Sequence, residues 1–209
     1  MKVIDISMDV APDMAVWKNN DAKRPQFKIL RDYAQGAVAR ETQITMDMHT
    51  GTHIDAPLHF IEGGRTMESI ALESLVRSVK VLDLTDVEDS ISEDDLVELG
   101  IEQGDFILFK TRNSFRDDFD MDFVFLNASG TDFLVERGIL GVGTDSLGIE
   151  RSQEGHETHK GLLGNGIVII EGLRLAHVVP GTYQMVAAPL KIPNVEAAPA
   201  RVFLMASEA

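Results

Sequence analysis

The sequence predicts an α/β fold in a single domain, with a mixed sheet and short flanking helices. Three observations predict it. At 209 residues the chain is long enough for one sizeable core and short for two. Strand-like apolar runs alternate with capped helical segments through its middle, which gives the sheet a parallel component. The runs Phe106-Ile107-Leu108-Phe109 and Ile167-Val168-Ile169-Ile170 are apolar at every position, as in strands without a solvent face.

Taken in order, Met1 to Ser7 alternate as a strand, and residues 8 to 24 form a polar, turn-rich loop holding the only tryptophan, Trp17. A lone loop Trp is ordinarily a core plug or an anchor; its functional reading is a stacking wall over a pocket. Residues 26 to 33 predict a strand whose hairpin partner spans 37 to 48, with Gly36 in the turn. A loop at Gly63-Gly64-Arg65 and a short helix or irregular segment from Met67 to Val76 lead to a strand over 79 to 84. Ser92 caps an acidic-ended helix that stops at Gly100, and Asp105 to Thr111 is the next strand. Residues 112 to 123 form a charged loop without the spacing of a calcium site, so solvation or an interface is expected. Ser129 can cap a helix running to Gly138, followed by strands at 139 to 144, 167 to 171, 182 to 188 and 201 to 205. No repeat or linker divides residues 1 to 209.

Composition removes several function classes. With 19 basic against 34 acidic residues the net charge is −15, so neither nucleic acid nor an anionic membrane is an expected partner. There is no cysteine, so any metal must be held by nitrogen and oxygen. No apolar run approaches the roughly 18 residues of a membrane span, and the N-terminus carries no leader pattern, which makes cytoplasmic the expected location.

The stretch His49-Thr50-Gly51-Thr52-His53-Ile54-Asp55-Ala56-Pro57-Leu58-His59-Phe60 holds three of the six histidines. Glycine, proline and β-branched residues argue against helix. In an extended chain His49, His53, Asp55 and His59 would share one face, although a turn at Gly51 or Pro57 would break that parity. Ile44, Met46 and Met48 alternate with polar residues, so the strand from about residue 37 is expected to deliver the histidines. A second cluster, Gly155-His156-Glu157-Thr158-His159, precedes the apolar run that ends in Glu171. A carboxylate ending a buried strand is costly unless it is paired or metal-bound.

If the clusters meet, His49, His53, Asp55, His159 and Glu171 offer five ligands suited to Zn²⁺, Mn²⁺ or Fe²⁺. Two ions sharing a carboxylate would use all five and leave positions for water; a single structural zinc or a hydrogen-bonded polar cluster are the alternatives. His59 is either a sixth ligand or a general acid/base beside the ions. His177 reads as structural or exposed. No Ser elbow or Cys nucleophile is present, so hydrolysis by a metal-activated hydroxide is the simplest chemistry, and Gly141-Val142-Gly143 does not complete a nucleotide fingerprint.

The first stretch resembles the H-x-G-T-H-x-D-x-P-x-H-F signature of the cyclase family of metal-dependent hydrolases, which includes bacterial kynurenine formamidase and isatin hydrolase. His159-Lys160-Gly161-Leu162-Leu163 and Ile170-Glu171-Gly172-Leu173 resemble its second signature, and Asp5-Ile6-Ser7 and Ala187-Ala188-Pro189-Leu190 extend the likeness over almost the whole chain. The resemblance implies a swivelling β/β/α-type fold, a homodimer or higher homo-oligomer, and a binuclear centre of two divalent ions, zinc in the formamidases and manganese in isatin hydrolase. It implies that His49, His53 and Asp55 hold one ion, that Asp55 bridges to a second held by His159, that Glu171 reaches one or both, and that His59 is the catalytic acid/base. Trp17 is similar in placement to a substrate-covering aromatic, though Val16-Trp17-Lys18-Asn19-Asn20-Asp21 replaces the usual Tyr/Trp-Pro-Gly-Asp text. The implied activity is that of an amide hydrolase acting on N-formyl-L-kynurenine. An isatin-hydrolase-like enzyme of cyclic amides or lactones, a lyase or dehydratase using the same metals, and a non-catalytic metal-binding protein are the alternatives. Loop 112 to 123 could complete a neighbouring subunit's pocket.

Overall fold

The computed structural model describes residues 1–206. Among them run β1 (Lys2–Asp5), β2 (Gln26–Arg31), β3 (Glu41–Thr45), β4 (His53–Asp55), β5 (Val76–Leu84), β6 (Ser90–Ile91), α1 (Glu93–Leu96), β7 (Phe106–Thr111), β8 (Phe125–Leu126), α2 (Ala128–Arg137), β9 (Gly141–Thr144), α3 (Glu157–Gly164), β10 (Val168–Glu171), β11 (Gly181–Pro189) and β12 (Ala197–Ala206). The main sheet has the order β1-β12-β11-β5-β7-β9-β10-β4, and β12 also pairs with β4. That pairing closes the strands from β12 to β4 into a circuit and removes the exposed edge of β4, leaving β1 as an edge strand beside β12. Strands β5, β7, β9 and β10 are mutually parallel, whereas β4, β12 and β11 pair antiparallel. The sheet is therefore mixed, as the alternation of runs predicts.

The all-apolar strands serve two cores at once. Phe106 and Leu108 of β7, with Val168 and Ile170 of β10, point into the core enclosed by the two sheet layers. Ile107, Phe109 and Ile169 point to the opposite core, which α1, α2 and α3 cover through Leu96, Leu134 and Leu162. Each such side chain contributes about 2 kcal/mol on burial, and alternation along the strand shares these contributions between the faces. The result is a β/β/α layering. Between them, β9 must be slim: a Cβ on Gly141 would enter the Phe106 ring, and one on Gly143 would lie 2.6 Å from Leu108. Those glycines serve packing, in keeping with the missing nucleotide fingerprint.

Several elements differ from expectation. The 37–48 strand contracts to Glu41–Thr45, and β3 pairs only with β2 in a separate hairpin. It does not lead directly into the histidines; the chain turns after Thr45 and rejoins the main sheet at β4. The helix after Ser92 is a single turn with a capping box and ends before Gly100. Asn127, not Ser129, caps α2 by accepting from the Gly130 amide at 3.0 Å, because the helix starts two residues earlier. Gly138 closes α2 in the left-handed conformation, as expected. His177 is exposed, and its Nε2 lies 2.9 Å from the Asp5 carbonyl.

Candidate metal and substrate site

The site forms where β4 and β10 pair at the end of the parallel layer. Ile54 and Ile170 are buried in the inter-sheet core, so their neighbours His53, Asp55 and Glu171 face the other way, with Glu171 directly opposite His53 in the register. Three interactions hold this edge. The Thr52 hydroxyl donates to the Gly172 carbonyl at 2.6 Å and accepts from the Met8 amide at 2.7 Å. A Cβ at Gly172, which has φ +72°, would sit 2.6 Å from the Gly51 carbonyl oxygen, so the two glycine-bearing motifs require each other. Asp47 accepts from the His49 amide at 2.9 Å and turns the chain into the site.

The strict parity ends at Gly51, which takes φ +65°, and at Pro57, which opens the short 3₁₀ turn bearing His59. The histidines nevertheless converge. The His49 and His59 rings are 4.1 Å apart, and those of His59 and His159 are 5.6 Å apart. Helix α3 delivers His159: Leu162 and Leu163 pack into the helix-side core, and the Thr158 hydroxyl donates to the Leu126 carbonyl at 2.8 Å. Phe60 stacks on the His159 ring at 4.1 Å.

Around Asp55 the candidate ligand atoms face each other. Oδ1 is 3.2 Å from His49 Nδ1 and 3.5 Å from His53 Nε2, and Oδ2 is 3.7 Å from His159 Nε2. Glu171 lies 3.3 Å from His53 Nε2 and 3.2 Å from His159 Nε2, and accepts from the Ile149 amide at 2.6 Å. His53 turns its other nitrogen to the Gly51 carbonyl at 2.8 Å; donation there leaves the Nε2 lone pair toward the carboxylates. Both Asp55 oxygens and the Nε2 atoms of His49 and His53 are buried without a hydrogen-bond partner. The Asp55 oxygens and His53 Nε2 converge on one point, whereas His49 Nε2 lies toward Glu196; buried, unpartnered groups of this kind are costly. Two sets, His49–Asp55–His59 and His53–Asp55–Glu171, bring ligand atoms within 4.8 Å of one another. The donor set fits a divalent cation.

The electrostatics make the same demand. Burial opposes ionisation of His53, yet the close Glu171 carboxylate and the charge of Asp55 raise it to about 9. His159 is likewise raised against its burial by Asp55, Glu150 and Glu171. Burial and the Asp55 charge press Glu171 upward, but the hydrogen bond to His159 and the close His53 imidazole hold it at about 2. The carboxylates draw positive charge, which protons or a metal ion can supply. His59 is the exception: burial outweighs the nearby carboxylates and lowers it to about 4, so it is a neutral imidazole.

These groups open into a cavity of about 200 Å³ bordered by Trp17, Lys23, His59, Phe60, Gly148 and His156. Trp17 is both an anchor and part of the cavity wall. It packs edge-on against Phe119 and Phe123, with centroids at 5.2 and 5.8 Å, while also lining the cavity. Gly148 lies beneath it, where a Cβ would come within 2.6 Å of the ring. Loop 112 to 123 thus braces the tryptophan of its own chain.

The sequence profile of the family described as "Putative cyclase" matches residues 4–151. The chain belongs to this cyclase family. It is 32% identical to a kynurenine formamidase of Salinibacter ruber, over 98% of this chain and 97% of that protein. Among solved structures, one described as a potential metal-dependent hydrolase with cyclase activity is 50% identical with a TM-score of 0.93, covering 100% of this chain and 99% of that one. Isatin hydrolase A from Labrenzia aggregata is 27% identical with a TM-score of 0.84, covering 99% and 94%.

Within this cyclase-family site, three acidic residues escaped the motifs. Glu150 Oε1 lies 3.2 Å from His159 Nδ1, Glu196 lies 3.6 Å from His49 Nε2, and Asp47 orients the His49 backbone. Glu150 and Glu196 reach their histidines across loops, where no strand or helix period relates the pairs.

Proposed function

We propose that this protein is a metal-dependent hydrolase of N-formyl arylamines, with N-formyl-L-kynurenine as the foremost substrate. The observation that carries the reading is Asp55, fully buried, with one oxygen toward His49 and His53 and the other toward His159. That arrangement suits two ions sharing Asp55: one held with His49 and His53, the other with His159, and Glu171 within reach of both. Zinc is the first expectation and manganese the second. A divalent ion bound there supplies Lewis acidity and a lowered pKa for water.

The protein's own residues supply the rest. Neutral His59 accepts a proton from the attacking water and returns it to the leaving aniline nitrogen, releasing formate and the arylamine. The formyl group is small enough to sit beside Asp55 and Glu171, and the aromatic leaving group stacks on Trp17. Phe119, Phe123 and Gly148 hold that wall in place.

The test is metal analysis of the purified protein together with absorbance assays on formylkynurenine and isatin. Formylkynurenine turnover that chelation removes supports the reading; turnover of isatin alone transfers it to the cyclic amide, an alternative favoured by the likeness to isatin hydrolase A. A second copy of the chain is the proposed partner, through the β2–β3 hairpin. Phe27 faces Ile44 across it, and both are more than 40% exposed, as is Ile29. A lone two-stranded hairpin is marginal in water, and covering its apolar side would stabilise it. Light scattering should report a dimer that the double variant I29K/I44K dissociates.

A further inference from the structure

The first histidine of the 155–159 cluster, His156, has no part in the scheme above. His156 sits at the N-cap of α3 with φ 53° and ψ 49°, the left-handed region that a non-glycine residue adopts at a cost of about 1 kcal/mol or more. It follows Gly155, at φ +93°, so the backbone turns sharply before the helix begins. The side chain that this turn carries borders the cavity and packs 4.8 Å from the Phe60 ring, while Phe60 in turn touches His59 at 4.4 Å.

Its Nδ1 makes a short hydrogen bond to Glu150 Oε1. Glu150 is 2% exposed, and its other oxygen accepts from the His159 amide at 3.2 Å, which fixes the carboxylate at the start of the helix. The His156 side chain, by contrast, is 40% exposed. A buried carboxylate holding one nitrogen of a pocket-facing imidazole sets its tautomer: the proton lies on Nδ1, and Nε2 keeps its lone pair. Such a group accepts hydrogen bonds.

We infer that His156, oriented by Glu150, is a substrate-contacting residue that accepts a hydrogen bond from an N–H group on the aromatic portion of the ligand. The ligand class is an arylamine or anilide, which deepens and rests on the proposed hydrolysis of N-formyl arylamines. Glu150 is a positioning residue in this scheme. The same contact would favour an amide over an ester carrying the same acyl group and ring, because the ester has an oxygen where the amide has N–H.

Two measurements on the zinc-loaded protein test this. The first is equilibrium binding of 2-aminoacetophenone and acetophenone, read by quenching of Trp17, the only tryptophan. The wild type should bind the amino compound roughly tenfold more tightly, the worth of one hydrogen bond to a fixed acceptor. H156L should erase that difference while leaving acetophenone affinity and zinc content unchanged, and H156Q, which keeps an acceptor, should restore part of it. The second compares formanilide with phenyl formate: H156L should lower kcat/KM for the anilide about tenfold and for the ester less than twofold. A preference for the amino compound that survives in H156L, or an equal loss on both members of either pair, overturns the inference. If the wild type turns over neither formyl compound, the proposed hydrolysis fails, and the binding pair still decides the role of His156.

Discussion

Replacing His59 by alanine separates proton transfer from metal binding. The imidazole is half-buried in a short 3₁₀ turn, with its ring 4.1 Å from that of His49, and its side chain makes no hydrogen bond among the described residues. Truncation therefore orphans no partner, and the stability cost should stay below about 1 kcal/mol. Loss of a general acid/base costs roughly 10²–10⁴-fold in rate, which corresponds to about 3–5 kcal/mol of transition-state stabilisation. The proposed ligands His49, His53, Asp55, His159 and Glu171 keep their partners, so metal content should remain that of the wild type. The assay is formylkynurenine turnover beside elemental analysis of the same preparation. Loss of metal together with activity would refute the assignment and make His59 a ligand, while wild-type rates would remove it from the chemistry.

Further expectations follow from the same geometry. G148A places a methyl group 2.6 Å from the Trp17 ring, so the ring must move by several tenths of an ångström or more; Trp17 emission should shift and KM for aryl substrates should rise several-fold with metal content unchanged. Zinc binding to chelator-stripped protein must displace the proton that His53 carries below about pH 9, so affinity should rise with pH up to that value, approaching tenfold per unit for this proton, in titrations at several pH values. In the stripped protein His53 is raised from 6.5 to about 9, so its contribution to stability is complete below 6.5 and lost as pH rises through about 9. Glu171 is lowered from 4.5 to about 2, so its contribution is complete above 4.5 and lost as pH falls through about 2, and His59, lowered from 6.5 to about 4, costs stability progressively as pH falls from 6.5 to about 4; thermal midpoints should be highest near pH 6.5. D145A removes the acceptor shared by the Thr111 and Ser114 amides and hydroxyls and the Asn113 side chain, and should cost about 3 kcal/mol or more by chemical denaturation.

Much of this was legible in the residue order, and the exceptions have identifiable causes. The β7 and β10 strands were readable because burial on both faces leaves no polar position. The histidine stretch was readable as a cluster because its residue types are rare together. Its geometry was not: Gly51 takes a positive φ and Pro57 opens a 3₁₀ turn, so the extended parity holds only from His53 to Asp55. The expected strand from 37 to 48 failed for a related reason. Its alternation of apolar residues belongs partly to a hairpin whose apolar residues are exposed, and periodicity cannot distinguish a face buried in the fold from one left open.

The sequence by itself determined the chemistry available here: no thiolates, a concentration of imidazole and carboxylate in two motifs, and buried strands that end at one of them. Pattern suffices for that, because alternation and ligand type are local properties. Only the tertiary structure decided that Asp55 faces two sets of partners, that Glu171 stands opposite His53, and that Glu150 holds both His156 and the His159 backbone. The first two depend on the pairing of β4 with β10, segments about 100 residues apart, and the third on the irregular turn before α3, which folds Glu150 back onto residues 6 and 9 positions along the chain. β12 holds β4 from its other side, and no strand or helix period along the chain encodes these pairings.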